Sequence, residues 1–218
     1  MEAFFPTLAA KTFFILSLSL LAAYAASLMS GSFISKALQR GDGGAARRSQ
    51  ITAIIINVIA FIALLFLQHK TPLNMLLMFA FTFSSGWSLG VLTLDRSGVV
   101  QKAVAITALT VFLTGMVATY SGLDFAWMGK FLFIALILLV IVSIIRLFTK
   151  MQAGRRITAF FGVLIFTGYL LFDFNRLAKA KNIAEANTWE TALSFAISLY
   201  LDIINLLLQL IQLMGGSH

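Results

Sequence analysis

The sequence predicts an all-α polytopic membrane protein with seven transmembrane helices. Of its 218 residues, 60% are hydrophobic and only 11% are charged, whereas a soluble domain carries roughly 25% charged residues. Several separate apolar runs of about twenty residues have the length that a helix needs to cross a bilayer. Strands of a membrane β-barrel would be shorter and would alternate polar with apolar residues, so the runs are interpreted as helices.

The seven spans follow one another through short connections. A polar, glycine-rich connection follows the first span, the turn QHKTP precedes the third, and DFNRLAKAKNIAEANTWE precedes the seventh. Because every gap is short, the chain is predicted to form one seven-helix domain over residues 1–218. The N-terminal MEAFFPTLAAK lacks the basic region and cleavage site of a secretory signal, so we expect the first run to be retained. The predicted spans cover residues 12–34, 51–67, 72–94, 101–121, 131–149, 156–172 and 191–214.

The net charge of +8 comes mostly from lysine and arginine at the ends of the apolar runs. In a membrane protein such residues are topology signals and headgroup contacts, and no compact basic patch with interleaved aromatic residues points to nucleic acid. Ten of the sixteen basic residues follow spans one, three and five, which favours an external N-terminus by the positive-inside rule. The chain has no cysteine, which excludes disulfides, thiolate metal sites and cysteine nucleophiles.

A polar stripe runs along the last span, which includes SLYLDIINLLLQLIQ over residues 198–212. At about 100° and 1.5 Å per residue, seven polar side chains fall within roughly 80° of one another and extend over ~30 Å, about the hydrocarbon thickness. Lipid cannot satisfy these groups, so the seventh helix is predicted to be central and surrounded by the other six. The stripe consists of Thr191, Ser194, Ser198, Asp202, Asn205, Gln209 and Gln212.

Asp202 is the acidic residue that lies deep within an apolar run. An ionised carboxylate at mid-bilayer costs at least ~2.5–3.5 kcal/mol, so it must face the interior and have a partner or a proton. Asp173, at the end of span six in DFNRL, is the predicted partner. Two neighbouring carboxyl groups do not both ionise readily, so we expect them to share a proton. We expect the pair to act as a latch. With one proton, a hydrogen bond between the two carboxyl groups keeps it closed. With both groups ionised, they repel each other or bind a cation.

The same residues also fit structural roles. Asp173 could pair with Arg176 at i+3, which would be a permanent counter-ion. His69 either lies in a surface turn or reaches the carboxyl pair, and Lys70 has the same two interpretations. Polar residues of the stripe either bond neighbouring helices or line an ion pathway. The candidate lining residues of that pathway are Ser194, Ser198, Asn205 and Gln209. The candidate lock partners, which would bond the closed carboxyl pair, are Arg176, His69 and Lys70.

The last fifty residues resemble those of a known family. The run ALSFAISLYLDIINLLLQLIQLMG, with an aspartate at the end of the preceding helix in LFDFNRL, resembles the Bax inhibitor-1 (TMBIM) family, and FAFTFSSGWSLG in span three also fits. The resemblance implies seven helices with the last one surrounded by the others, and a cytosolic N-terminus, opposite to the charge count. It implies a pH-sensitive calcium leak gated by an aspartate pair that maps onto Asp173 and Asp202.

The resemblance also implies links to suppression of cell death and, in some bacteria, to modulation of a membrane-bound protease. The chain departs from the calcium-leak relatives at the end of span two. Those relatives tend to carry an arginine that can bond the aspartate pair, whereas this chain has Gln68, His69 and Lys70. The closed state would then be locked by a different partner or would titrate at another pH.

The sequence offers three candidate functions. The first is a cation leak, with calcium held transiently by Asp173 and Asp202 and also by Asn205, since hard divalent cations prefer oxygen ligands. The second is a non-conducting protein that modulates a membrane-bound protease or a stress or cell-death pathway. The third, an intramembrane aspartyl protease, is disfavoured because the second aspartate stands in LYLD rather than GxGD, and the only prolines are Pro6 and Pro72.

No HExxH, GxSxG or P-loop pattern appears either, so we expect no enzymatic activity and no cofactor beyond a transient calcium ion. The expected partners are calcium or other cations, membrane lipid and a membrane-bound protease. The short N-terminus and compact length favour a prokaryotic protein, and hence the plasma (inner) membrane of a bacterium.

Overall fold

The computed structural model describes residues 4–67, 69–70, 72–95, 97–149, 154–180 and 182–215. This part of the chain folds into seven α-helices and one short 3₁₀ turn at Ala184–Ala186. All seven helices are long and apolar enough to cross a membrane, which confirms the predicted all-α polytopic class. The helices are α1 (Leu8–Gln39), α2 (Gly43–Leu67), α3 (Leu73–Asp95), α4 (Ser97–Tyr120), α5 (Met128–Thr149), α6 (Arg155–Ala180) and α7 (Trp189–Met214).

Three helices extend well beyond the apolar runs that predicted them: α2 begins at residue 43 rather than near residue 51, and α1 and α6 end later than their runs. The runs end near residues 34 and 172, whereas α1 continues to residue 39 and α6 to residue 180. Backbone hydrogen bonding does not require apolar side chains, so a helix continues until its end is capped. The C-cap of α1 is Arg40, and the next residue, Gly41, has a left-handed φ of 74° and donates its N–H to the carbonyl of Leu38. Asp173 therefore lies inside α6, about two turns before its end.

The described residues form two compact units. The first contains α1, α2 and α3 with residues 187–197, and the second contains α4, α5 and α6 with residues 182–186 and 198–215. In the first unit, both α1 and α2 pack against α3. In the second, α5 packs against α6.

Small residues bring α1 and α3 into close contact. A Cβ added at Gly86 would overlap the backbone of Ala23, and one added at Gly90 would lie 2.5 Å from the Cβ of Ser30. Ala23 and Ser30 are both buried. Gly86 and Gly90 have the GxxxG spacing that lets membrane helices approach closely. The packing of the first unit therefore depends on the absence of side chains at these two positions.

Partly buried amides join the helices of the first unit. Asn57 of α2 donates from Nδ2 to the carbonyl of Phe81 (3.0 Å) and to Oγ of Ser85 (2.7 Å), both on α3. Gln50 of α2 donates from Nε2 to Oγ of Ser30 on α1 (3.1 Å). Such bonds between membrane helices contribute about 0.6 kcal/mol each. They fix the rotation of α2 relative to its two neighbours.

In the second unit, Asn175 of α6 holds the connection between α4 and α5. Its buried side chain accepts a hydrogen bond from the N–H of Phe125 (3.2 Å) and donates one to the carbonyl of Leu123 (3.1 Å). Asp124, in the same connection, pairs with Lys179 one turn further along α6. The hydrogen bond from Lys179 holds the pKa of this exposed carboxyl below its usual range. The last two turns of α6, which the hydropathy pattern did not predict, thus anchor a loop.

Replacing Asn175 with leucine is expected to lower the free energy of unfolding by about 1–3 kcal/mol, because backbone groups of Phe125 and Leu123 lose their partner. The measurement is the midpoint of thermal unfolding in detergent. Asn182→Leu is the matched control, since Asn182 is exposed. Equal midpoints for the two variants would show that the Asn175 bonds do not stabilise the fold.

Candidate functional site

The described structure brings Asp173 of α6 and Asp202 of α7 together. They are 4% and 6% exposed, and their carboxyl groups lie within hydrogen-bonding reach of each other. Oδ2 of Asp202 is fully buried and receives no hydrogen bond from an N–H or hydroxyl group of the described residues. Two ionised carboxylates have no hydrogen to donate, so they can bond each other only if one of them is protonated. The geometry fits a pair that holds one proton.

Arg176 is the candidate lock partner whose contact with the pair is described. Its Nη1 lies 3.1 Å from Oδ1 of Asp173, one turn earlier on α6. The guanidinium also stacks over the ring of Phe172, 5.5 Å from its centroid. The arginine side chain is 51% exposed, so water screens much of the attraction. Arg176 therefore binds one carboxylate of the pair from its solvent-accessible side.

Tyr169 is a neighbour of the pair that the sequence analysis missed. It lies one turn before Asp173 on α6 and interacts electrostatically with both Asp173 and Asp202. A phenol can donate a hydrogen bond to a carboxylate. The signal in the sequence was the i, i+4 spacing of YLLFD, which places the two side chains on the same face of a helix.

His69 and Lys70 lie in the exposed turn between α2 and α3. Nδ1 of His69 is 4.0 Å from the carboxylate of Glu190, in the first turn of α7. The roles of both residues as lock partners stay predictions. Gln68, the third residue at which the chain departs from the calcium-leak relatives, lies outside the described residues.

No side chain of α7 from residue 189 to residue 214 is fully exposed; each is buried or partly buried. Asn205 donates from Nδ2 to the carbonyl of Leu201 (2.8 Å), one turn earlier. Gln209 contacts Gly162 of α6, and its Oε1 is fully buried without a hydrogen-bond partner among the described residues. The candidate lining residues Ser194 and Ser198 are partly buried. The arrangement in which six helices surround α7 stays a prediction.

Asp173, Asp202 and Asn205 offer oxygen atoms to a cation, although no group of three or more His, Cys, Asp or Glu side chains comes together among the described residues. The carboxyl groups of Asp173 and Asp202 and the amide oxygen of Asn205 are the ligand types that hard divalent cations prefer. Calcium takes roughly six to eight oxygen ligands. Water and backbone carbonyls would therefore complete the coordination of an ion at this site.

The chain is similar to a known family over nearly its whole length. The family model described as "Inhibitor of apoptosis-promoting Bax1" matches residues 6–218. An uncharacterized protein of Helicobacter pylori (strain J99) is 31% identical over 74% of this chain and 69% of its own length. The protein LIFEGUARD 4 of Arabidopsis thaliana is 34% identical over 77% of this chain and 68% of its own length. The Golgi anti-apoptotic protein of vaccinia virus (strain Lister) is 33% identical over 69% of this chain and 62% of its own length.

Proposed function

Because this chain belongs to the Bax inhibitor-1 family, we propose that it is a pH-sensitive calcium leak gated by the proton that Asp173 and Asp202 share. The observation that carries the proposal is that Asp202 interacts with the carboxyl group of Asp173 while its buried Oδ2 has no hydrogen-bond partner among the described residues. The seven apolar helices make the chain a multi-pass membrane protein. Similarity to a Helicobacter pylori protein supports a place in the bacterial inner membrane.

The proposed gate works by charge repulsion. With one proton, a hydrogen bond between Asp173 and Asp202 joins α6 to α7 and keeps the pathway closed. Without that proton, two unit charges about 4 Å apart repel each other by about 4 kcal/mol at an effective dielectric constant of about 20. The carboxylates then separate or bind a calcium ion between them. Calcium flux is therefore expected to rise as the pH rises.

The test is calcium flux into proteoliposomes across pH ~5 to 8, with a calcium indicator inside and empty liposomes as the control. A second, membrane-impermeant dye inside the same vesicles detects general leakage. A flux that increases with pH while the dye stays inside supports the calcium leak. If the flux never exceeds that of empty liposomes at any pH, the chain is not a leak.

A second proposal is a non-conducting protein that regulates a membrane-bound protease or a stress or cell-death pathway. The similarity to a Golgi anti-apoptotic protein of vaccinia virus favours it. In that case Asp202→Asn would leave the biological effect intact, because the carboxyl pair would only hold helices together. Neither proposal assigns catalysis, since the second aspartate stands in LYLD rather than GxGD.

Replacing Arg176 with glutamine is expected to move the pH of half-maximal flux upward by about 0.3–0.7 of a pH unit. The guanidinium favours the ionised form of its partner, so without it the gate keeps its proton to a higher pH. A half-exposed ion pair contributes up to about 1 kcal/mol, which sets the size of the shift. The measurement is the flux profile against pH. Arg156→Gln, at the other end of α6, is the control, and an equal shift there would contradict a specific role for Arg176.

A further inference from the structure

Gln209 carries a buried oxygen atom that the proposed gate does not use. It follows Asp202 by seven residues, so it lies on the same face of α7, ~10 Å further along the helix axis. Its Oε1 is fully buried and has no hydrogen-bond partner among the described residues. Buried acceptors of this kind are normally satisfied by a donor, an ordered water or an ion. The atom therefore points to a ligand at this level of α7.

Gly162 of α6 makes the room that this amide occupies. A Cβ added to Gly162 would lie 2.5 Å from Cδ and 2.7 Å from Oε1 of Gln209. Gly162 is itself buried. A leucine in place of Gln209 could pack against Gly162 without bringing a polar atom into the contact. The chain instead places an amide oxygen against α6, in a span that otherwise consists largely of Leu and Ile.

Asn205 lies between Asp202 and Gln209 on the polar face of α7. Its Nδ2 is engaged by the carbonyl of Leu201 at 2.8 Å, which leaves Oδ1 as the acceptor of that side chain. Along the axis of α7, Asn205 therefore lies ~4.5 Å beyond Asp202, and Gln209 lies ~6 Å beyond Asn205. Each of the three side chains carries an oxygen atom. Spaced oxygen ligands can replace parts of an ion's hydration shell in turn as the ion moves along a pathway.

We propose that Gln209, in the space that Gly162 leaves, forms a second cation site through which a partly hydrated divalent cation passes on its way to or from the aspartate pair. This inference rests on the proposed calcium leak and adds a residue to its pathway. One neutral amide oxygen binds a cation weakly, and weak successive sites allow an ion to leave as well as to enter. The aspartate pair sets when the pathway opens, whereas Gln209 affects how much calcium passes.

The first test is calcium flux through proteoliposomes that contain Gln209→Leu. We expect about tenfold less flux than wild type at pH ~8, with the pH of half-maximal flux unchanged, because the gate is intact. Gln101→Leu is the matched control, since Gln101 is exposed on α4. A flux within about twofold of wild type would overturn the second site, while the wild-type flux itself would still support the leak.

The second test does not depend on flux. In Gln209→Glu, a buried carboxylate without a cation should lower the midpoint of thermal unfolding in detergent with EDTA by at least about 4 °C. Millimolar calcium should restore the midpoint, because an ion that reaches the site neutralises the charge and stabilises the folded state. Gln101→Glu should show no such restoration. Failure of calcium to restore the midpoint would overturn the site even if the wild type leaks, and restoration without wild-type flux would refute the leak but keep the site.

Discussion

Replacing Asp202 with asparagine is expected to leave a low calcium flux that does not change between pH ~5 and ~8. The asparagine has nearly the same shape, and its Nδ2 can donate permanently to the carboxylate of Asp173 in place of the shared proton. With no proton to lose, α6 and α7 stay joined at every pH. The wild type should gain about tenfold or more in flux over the same range, because a repulsion of about 4 kcal/mol greatly exceeds the ~1.4 kcal/mol that corresponds to a tenfold change.

Two further variants decide whether the pair itself senses pH. Asp173→Asn should give the same flat profile, because either carboxyl can hold the shared proton. Glu185→Gln should keep the wild-type profile, because Glu185 is exposed in the 3₁₀ turn before α7. The measurement is initial calcium influx against pH in proteoliposomes. A wild-type pH response in Asp202→Asn would assign the sensor to another group.

The seven helices could be predicted from the sequence because a long apolar run has few alternatives in a membrane. Their ends could not, because a helix ends where its backbone is capped rather than where its hydropathy falls. Gly41 ends α1 through its left-handed conformation. No comparable glycine follows Asp173, and α6 continues through Asn175 and Lys179, whose side chains hold the α4–α5 connection. The polar residues that follow the sixth apolar run predict a connection, whereas the structure places them in the last two turns of α6, where they hold the α4–α5 connection.

The partnership of Asp173 and Asp202 could be predicted for an energetic reason: a carboxyl group deep in a span needs a partner, and the nearest acid on the preceding helix is Asp173. Tyr169 and Gly162 were harder to find. The helical projection gives the polar face of α7 but not the residues of α6 that meet it, since those depend on the depth and rotation of both helices. Gly162 also has no side-chain chemistry to signal a role, and its importance appears only through the space it leaves for Gln209.

Replacing Gly86 with alanine is expected to destabilise the protein by about 3 kcal/mol, the upper end of the usual range for overpacking. The added methyl group would overlap the backbone of Ala23, which cannot move aside as the tip of a flexible side chain can. Either α1 and α3 separate or their register shifts, and both changes disturb the contact of Gly90 with Ser30. The expected fall in the midpoint of thermal unfolding in detergent is roughly 6–12 °C.

The same substitution at Gly98 is the matched control. A Cβ at Gly98 of α4 would meet nothing within 4 Å, so alanine should only favour the helical backbone and stabilise the protein by up to about 1 kcal/mol. One chemical change is thus expected to have opposite signs at two glycines. If Gly86→Ala were as stable as Gly98→Ala, the close contact between α1 and α3 would not determine stability. If both variants were destabilised equally, the loss would reflect the substitution of glycine itself rather than helix packing.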